Sequence, residues 1–472
     1  MDIFEDPSLK LKLHGTLKTR RSSEIKASPL SVGFETLDRE LFKPDKCYDL
    51  VAEAGAKWAR CQTGWNRCET KKGVYDFAWL DEVVDQLLKR GVQPWFNLGY
   101  GNILYMPDAP DAAAVGCSPT CYGEAGLTAW KNFVTALAKH FRGRVDRWEI
   151  WNEPNIDCFW RPSTASGENY AELVAFTAPL IKAVDPKNLT AGCCAGIDCN
   201  FILNALKAGI GAHLDCYCIH PYGSIPEKDY FADVANLRRL FRLHAPHVKL
   251  WQGECGYPSQ TYGHHDAWMG LYHADETTQA KFVARRLVMD RMAGHELVSY
   301  FHISDLMEKV YRQAGGEARP PVMLGLTHGL EYTPKRSFAA YKFLATLFDA
   351  DCVADDLHCH VTIENYSLRQ SGALPPLAIV AGSFVRQGYP LHAYYYPEDL
   401  QRQWPGLNKV TLSGLQETEK PLANPVLVDC LRGRVFAATD WKDGGSHWAV
   451  NGLPLTDYPL LLTDANAIEV LP

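Results

Sequence analysis

The sequence has no excess of positive charge, no long apolar run and no leader-like start. Lys and Arg number 48 against 55 Asp and Glu, a net charge of −7. With no basic excess to neutralise phosphates, nucleic acid or an anionic membrane is not expected as the main partner. No apolar stretch reaches the roughly 18 residues that a membrane span needs. The opening MDIFEDPSLKLKLHG has no apolar h-region, so it does not read as a secretory signal; a signal trimmed ahead of Met1 would escape this reading. No G-x-G-x-x-G follows the first strand-like run, which weakens a dinucleotide-binding reading. The 15 Cys lack the paired C-x2-C spacing of structural zinc sites. Cys117-x3-Cys121 and Cys352 with Cys359-His360 come nearest to it. The odd count, and runs such as AGCCAG and DCYCIH, point to free buried thiols in a reducing compartment rather than a disulfide framework. The expectation is a cytoplasmic protein with no metal and no cofactor.

What is present fits a large globular chain. Its 472 residues, 47% hydrophobic, suffice for a barrel of roughly 250–330 residues and one smaller domain. The 13 Trp and 22 Tyr suit the stacking of sugar faces, and equally a large aromatic core.

From residue 31 to 349, short β-rich runs alternate with longer amphipathic ones. Eight strand candidates appear: SVGFET, WARCQTGW, VQPWFNLGY, RWEIWNEP, LTAGCCAG, LDCYCIHPYG, KLWQGECG and LVSYFHISD. Between them lie helical patterns such as FAWLDEVVDQLLKRG and TTQAKFVARRLVMDRMAG. In these, apolar residues recur at i, i+3, i+4 and i+7, the mark of one buried face. Gly91 and Gly294 are placed as C-caps, and Asp185-Pro186 ends the helix before it. Eight βα repeats favour a closed (β/α)8 TIM barrel over an open sheet. After Asp349 the helical period vanishes. Short alternating runs such as HVTIENYSL, LHAYYYP and RVFAATDW, punctuated by Gly, Pro and Asn, read as a β-sandwich over 350–472. Residues 1–30 are short of helix signals and are assigned as a segment that adds a strand to that sandwich.

Barrel enzymes carry their chemistry at the C-terminal ends of strands. Two carboxylates stand there. Glu153 follows the fourth strand in WEIWNEPN, and Glu254 follows the seventh in WQGECGYPS. Strands four and seven lie on opposite sides of the mouth, so the two face each other. Paired carboxyls are what glycosidic cleavage needs, one to protonate the leaving oxygen and one to attack or to activate water. Glu149 shares strand parity with Glu153 but sits deeper, and reads as a buried structural carboxylate.

Trp-Asn-Glu-Pro ending strand four, with a second Glu ending strand seven, resembles clan A of the glycoside hydrolases over residues 31–349. Within the clan the chain is most similar to the family 39 type, β-xylosidases included, through its barrel plus β-sandwich and stretches such as KWARCQTGWNRCETKKGVYDFAWLD and YPLLLTD. The resemblance implies a retaining hydrolase of β-linked sugars, without cofactor. Glu153 would be its acid/base and Glu254 its nucleophile. Asn152 would bind the sugar 2-hydroxyl, and Arg60 would keep Glu254 ionised. His220 and Tyr222 would line the pocket, with Tyr222 donating to Glu254. A cation beside the nucleophile favours its charged form, as the two-carboxylate mechanism requires. Trp65, Trp95, Trp251 and Tyr300 are candidate stacking platforms, and equally core residues. Trp160 and the pair His264-His265 lie in loops that would shape substrate choice.

Three other readings share parts of this pattern. A catalytically silent carbohydrate-binding protein would not need both Glu with Asn152 and Arg60. A metal-dependent hydrolase would need clustered His at strand ends. A transglycosylase shares every residue named. The expected partner is an oligosaccharide or glycoside substrate; the sequence leaves the oligomeric state open, a homo-oligomer included.

Overall fold

The computed structural model describes residues 2–260, 274–310, 321–364, 379–397 and 407–472. The chain opens with β1 (Leu11–Leu17) and then enters an eight-stranded closed parallel barrel. Its strands are β2 (Leu30–Phe34), β3 (Trp58–Gln62), β4 (Gln93–Leu98), β5 (Arg147–Ile150), β6 (Leu189–Ala195), β7 (Cys216–His220), β8 (Lys249–Gln252) and β9 (Val298–Tyr300). These are the eight runs picked out from the sequence. β2 closes the ring by pairing with β9 through Leu30 and Val298.

Around the ring lie α1 (Pro44–Glu53), α2 (Trp65–Cys68), α3 (Ala78–Lys89), α4 (Gly123–His140), α5 (Gly167–Val184), α6 (Cys199–Lys207), α7 (Tyr230–His244), α8 (Glu276–Met292) and α9 (Arg336–Leu347). Their sequence patterns have physical counterparts. In α3 the residues Leu80, Val83, Val84 and Leu87 are the buried face, the i, i+3, i+4, i+7 stripe that a helix lays on a sheet. Pro44 starts α1 at a position whose N–H has no helical acceptor to lose. Asp198 caps α6 by accepting from the Phe201 N–H, and Asp275 caps α8 in a box with Thr278. Gly91 and Gly294 adopt φ +77° and +70° just past α3 and α8, where a left-handed residue ends a helix.

The remaining strands are antiparallel. They are β10 (Cys352–Ala354), β11 (Cys359–Ile363), β12 (Val380–Arg386), β13 (Tyr389–Tyr395), β14 (Asn408–Leu415), β15 (Pro425–Asp429), β16 (Arg434–Ala438), β17 (Trp441–Asp443), β18 (His447–Leu455), β19 (Leu460–Asp464) and β20 (Val470–Leu471). One sheet runs β10-β12-β13-β19-β15-β16-β1-β20, and the other β11-β14-β18-β17. β1 pairs with β16 and β20, so the N-terminal strand lies in the sheet built by the C-terminal part of the chain. The two sheets face each other through contacts such as the His392 ring 5.0 Å from Trp448 and the Tyr394 hydroxyl donating to the Pro454 carbonyl at 3.0 Å. The first sheet is tied to the barrel by buried charges. Arg386 donates to Asp349 at 2.7 Å, and Lys281 pairs with Asp457 at 2.6 Å. Tyr395 donates to Glu227 at 2.8 Å, and Glu227 also holds the buried Arg285.

No disulfide forms among the fifteen cysteines, most of which are buried. Among the described residues no helix is long and apolar enough to cross a membrane.

Candidate active site

The barrel interior is filled from the bottom by apolar side chains. Trp95, Trp251, Leu297, Ala191, Cys193, Cys216 and Cys218 pack there as one cluster. Trp95 meets Trp251 edge-on at 5.8 Å and donates from Nε1 to the Ser31 hydroxyl at 3.0 Å. These two tryptophans are therefore a floor beneath the site and not stacking platforms.

Above the floor lies a layer of charge centred on Arg60. The guanidinium is fully buried and all of its N–H groups are engaged. Nε donates to Glu149 Oε2 at 2.7 Å, and Nη2 lies 2.7 Å from the same oxygen and donates to Asn152 Oδ1 at 2.9 Å. Nη1 donates to Glu254 Oε2 at 2.7 Å and to Glu35 Oε1 at 3.0 Å. Asn97 adds a donor to Glu149 Oε2 at 3.0 Å. Burial alone would raise the Glu149 carboxyl, but the Arg60 charge, and His220 after it, bring it down to about 2. Glu149 is thus a buried anion that anchors Arg60, as its depth in the strand implied.

The two candidate carboxylates stand one level higher, their side chains 12% and 13% exposed. Glu254 Oε1 accepts the Tyr222 hydroxyl at 2.7 Å, so each of its oxygens has a strong donor. The last residue of β7, His220, lies between the pair. Its Nδ1 is 3.0 Å from Glu153 Oε1 and 3.7 Å from Glu254 Oε2, and its Nε2 faces Glu149 Oε1 at 3.6 Å. Burial disfavours charge on His220; the Glu254 anion and the contacts to Glu149 and Glu153 outweigh it, and the imidazole is raised to about 9. At neutral pH it is an imidazolium inserted among three carboxylates.

The turn after β5 places Asn152 and Glu153 in a way that strand alternation does not. Trp151 and Glu153 adopt φ +71° and +47°, a left-handed conformation that costs side-chain-bearing residues roughly 1–2 kcal/mol. The turn is pinned on every side. The Trp151 carbonyl accepts from Asn97 at 2.6 Å, and its indole donates to the Phe159 carbonyl at 2.7 Å. The result sends Trp151 outward against Trp130 and Trp160, while Asn152 turns in toward Arg60.

Of the residues singled out from the sequence, Glu153, Glu254, Asn152, Arg60, His220 and Tyr222 converge on one site. Trp65 and Tyr300 do not, which corrects the sequence reading. Trp65 is fully buried with both faces covered, by Phe133 at 5.6 Å and Tyr105 at 5.5 Å. Its Nε1 is committed to Glu69 at 2.6 Å. Tyr300 is 1% exposed, and its hydroxyl accepts from the Tyr257 N–H at 3.3 Å and donates to the Tyr257 carbonyl at 3.4 Å. Trp160 is also fully buried. His264 and His265 lie outside the described residues.

The sequence reading missed Glu35, Asn97 and Tyr100. A signal for Glu35 was present. In LSVGFE the apolar Leu30, Val32 and Phe34 alternate with Ser31, Gly33 and Glu35, so the glutamate continues the inward face. Tyr100 accepts from Asn152 Nδ2 at 2.9 Å, which leaves the second amide hydrogen for a ligand.

Among the described residues, one cluster has metal-ligand geometry: Glu153, His220 and Glu254, with ligand atoms within 4.8 Å of one another. The cation-binding reading fits it poorly. Both Glu254 oxygens already accept short hydrogen bonds, one from a fixed guanidinium, and a second cation there would be repelled.

Residues 57–222 match the model of Glycosyl hydrolases family 39, a span that holds Arg60, Asn152, Glu153, His220 and Tyr222. A beta-xylosidase from Geobacillus stearothermophilus is 30% identical over 322 residues, covering 59% of this chain and 57% of that protein. A beta-xylosidase from Caldicellulosiruptor saccharolyticus is 29% identical over 305 residues, covering 58% and 57%. The matched region thus spans about half the length of these curated relatives. A solved family 39 glycoside hydrolase from the gut symbiont Bacteroides cellulosilyticus WH2 superposes with a TM-score of 0.66 at 18% identity, over 95% of this chain and 83% of that one. At that identity the likeness speaks for the fold alone.

Proposed function

We propose that this relative of the family 39 glycosyl hydrolases is a retaining glycosidase that cleaves β-linked sugars by double displacement. One observation carries the reading: carboxylate oxygens of Glu153 and Glu254 lie within 4.8 Å of each other. Retaining enzymes place their two carboxyls about 5–5.5 Å apart, whereas inverting ones leave about 6.5–9.5 Å for a water.

The residues divide the work as follows. Glu254, held by Arg60 and Tyr222, attacks the anomeric carbon as an anion. Glu153 accepts from His220 at Oε1, which leaves its second oxygen to give a proton to the departing group. Once the glycosyl ester forms, Glu254 is neutral and Glu153 is the anion. The His220 imidazolium lies within reach of both and favours whichever is charged. Glu153 then takes a proton from water, which attacks the ester. The free amide hydrogen of Asn152 would bind the sugar 2-hydroxyl, where such bonds strengthen in the transition state.

The named relatives make β-xylosides the first substrates to try. In this reading residues 31–349 form the catalytic unit and 350–472 an accessory β-domain, with 1–30 serving the latter. Fifteen cysteines without a disulfide fit a reducing, cytoplasmic setting. A catalytically silent binding role is disfavoured because both carboxylates keep their full set of partners.

The test is a panel of aryl β-glycosides (xyloside, glucoside, galactoside, arabinoside) with the parent and Glu254→Ala. Turnover should vanish in the variant, and azide should restore it with an α-glycosyl azide as product. Undiminished turnover in Glu254→Ala, or a β-azide, would overturn the assignment.

A further inference from the structure

Arg60 is encircled by three carboxylates, and the mechanism above uses two of them. Glu149 binds it as an anchor and Glu254 as the nucleophile. The third, Glu35, follows β2 and shares the Nη1 donor with Glu254 itself: 3.0 Å to Glu35 Oε1 and 2.7 Å to Glu254 Oε2. Arg60 cannot turn away from either, because Nε and Nη2 are fixed by Glu149 and Asn152.

Glu35 is 4% exposed and sits in a fitted recess. Its Oε2 occupies the space beside Gly33, where a Cβ would come within 2.4 Å of it. Among the described residues, that oxygen has no hydrogen-bond partner. An ionised carboxylate buried with one oxygen unsolvated is costly, whereas a carboxylic acid is tolerated. The groups facing it are few. Arg60 and the buried thiol of Cys61 come from β3, and Glu254 follows β8. The His302 ring follows β9, with Nε2 3.8 Å from Glu35 Oε2.

Arg60 and, more weakly, the backbone N–H of Glu35 itself favour an anion. Burial pushes His302 down to about 3, so it is neutral, and burial pushes the Cys61 thiol up. Burial and the nearby Glu254 charge likewise outweigh Arg60 at Glu35, which is raised to about 8.

From this geometry we propose that Glu35 is a positioning residue that acts as a neutral carboxylic acid. It fixes Nη1 of Arg60 beside Glu254 without adding a third negative charge. Its ionisation at alkaline pH sets a competing anion against the fixed Nη1, weakens that cation's hold on Glu254 and ends turnover. In the balance of charge, Arg60 and His220 are matched by Glu149 and Glu254 before the ester forms, and by Glu149 and Glu153 after it. Glu35 stays protonated through both steps and no proton is exchanged with it.

The proposal rests on Glu254 as the nucleophile, which the azide test decides separately. For Glu35 the readout is the pH dependence of kcat/KM. The parent should lose activity with an alkaline midpoint near pH 8. Glu35→Gln keeps an acceptor for Nη1 but has nothing to ionise. Whatever its absolute rate, its alkaline midpoint should move up by about one unit, to the range where His220 loses its proton. Glu35→Leu, which has no acceptor, should lower kcat by at least ten-fold more than Glu35→Gln. An alkaline midpoint shared by parent and Glu35→Gln would overturn the proposal, as would equal kcat losses in the Gln and Leu variants.

If Glu35→Gln fails to fold, 13C NMR of glutamate δ-carbons in a Glu153→Gln protein decides. One glutamate should titrate near pH 8, and none titrating above pH 7 would refute the assignment.

Discussion

Replacing Arg60 by Met would remove the charge that the site is built around while keeping a side chain of similar bulk. The cost can be worked from Glu149. Its carboxyl falls from an ordinary 4.5 to about 2 in the folded chain, some 2.5 units. At 1.36 kcal/mol per unit that is about 3 kcal/mol of net stabilisation, most of it from Arg60 and the rest from His220. Because the folded value is depressed, this stabilisation is complete above pH 4.5 and is lost as pH falls toward 2. Breaking a buried pair from one side costs about 3–5 kcal/mol in general, so the two routes agree. Arg60→Met should therefore destabilise the fold by about 3–5 kcal/mol at pH 7. The deficit should narrow by at least about 1 kcal/mol at pH 4, where the abandoned carboxylates accept protons and the penalty for their charge disappears. Urea unfolding followed by tryptophan fluorescence at the two pH values measures both. A deficit under 1 kcal/mol at pH 7, or one that does not change with pH, would show that packing rather than charge holds Arg60 in place.

Other expectations follow from neighbouring contacts. His220 is raised to about 9 from 6.5, so its contribution of about 3 kcal/mol is full below pH 6.5 and lost as pH rises through 9. In His220→Gln, the fall in stability between pH 6.5 and 9.5 should be smaller by roughly that amount in denaturant titrations; an unchanged fall would argue that the imidazole is neutral throughout. Gly33→Ala puts a methyl 2.4 Å from Glu35 Oε2, so kcat on an aryl β-glycoside should drop by about ten-fold or more, with circular dichroism unchanged; normal kcat would mean that Glu35 moves freely. Trp65→Ala removes a core ring and should cost about 3–5 kcal/mol. Protein that stays folded should keep its KM for aryl glycosides, and a large KM increase would return Trp65 to the substrate pocket.

The barrel was legible because its signals are local. Each strand run is bounded by turn residues, and each helix carries its own stripe and caps, so Phe77–Gly91 needs nothing distant to be read as a helix. Glu153 and Glu254 were legible for a related reason: strand ends in a barrel face one mouth, so a carboxylate after an apolar run is placed by topology. Trp65 misled because an aromatic at the end of a strand is compatible with either side of the wall. Only packing decides whether its faces are open, and Phe133 and Tyr105 close them. Parity failed at one informative place. Alternation from Glu149 would have pointed Trp151 inward with Glu153, but the left-handed turn at both residues sends the indole out and the Asn152 amide in.

By itself the sequence determined the eight βα units, the sandwich-like strands after them and the pair of glutamates at the mouth. All of these depend on periodicity and on residues adjacent in the chain. Tertiary structure alone decided what surrounds that pair. Arg60 meets Glu35, Glu149 and Glu254 across separations of 25, 89 and 194 residues, and the balance of burial against the cations each carboxyl meets decides which of them keeps its proton. Charge state in a buried site is a property of distance and solvent access, and neither is written along the chain.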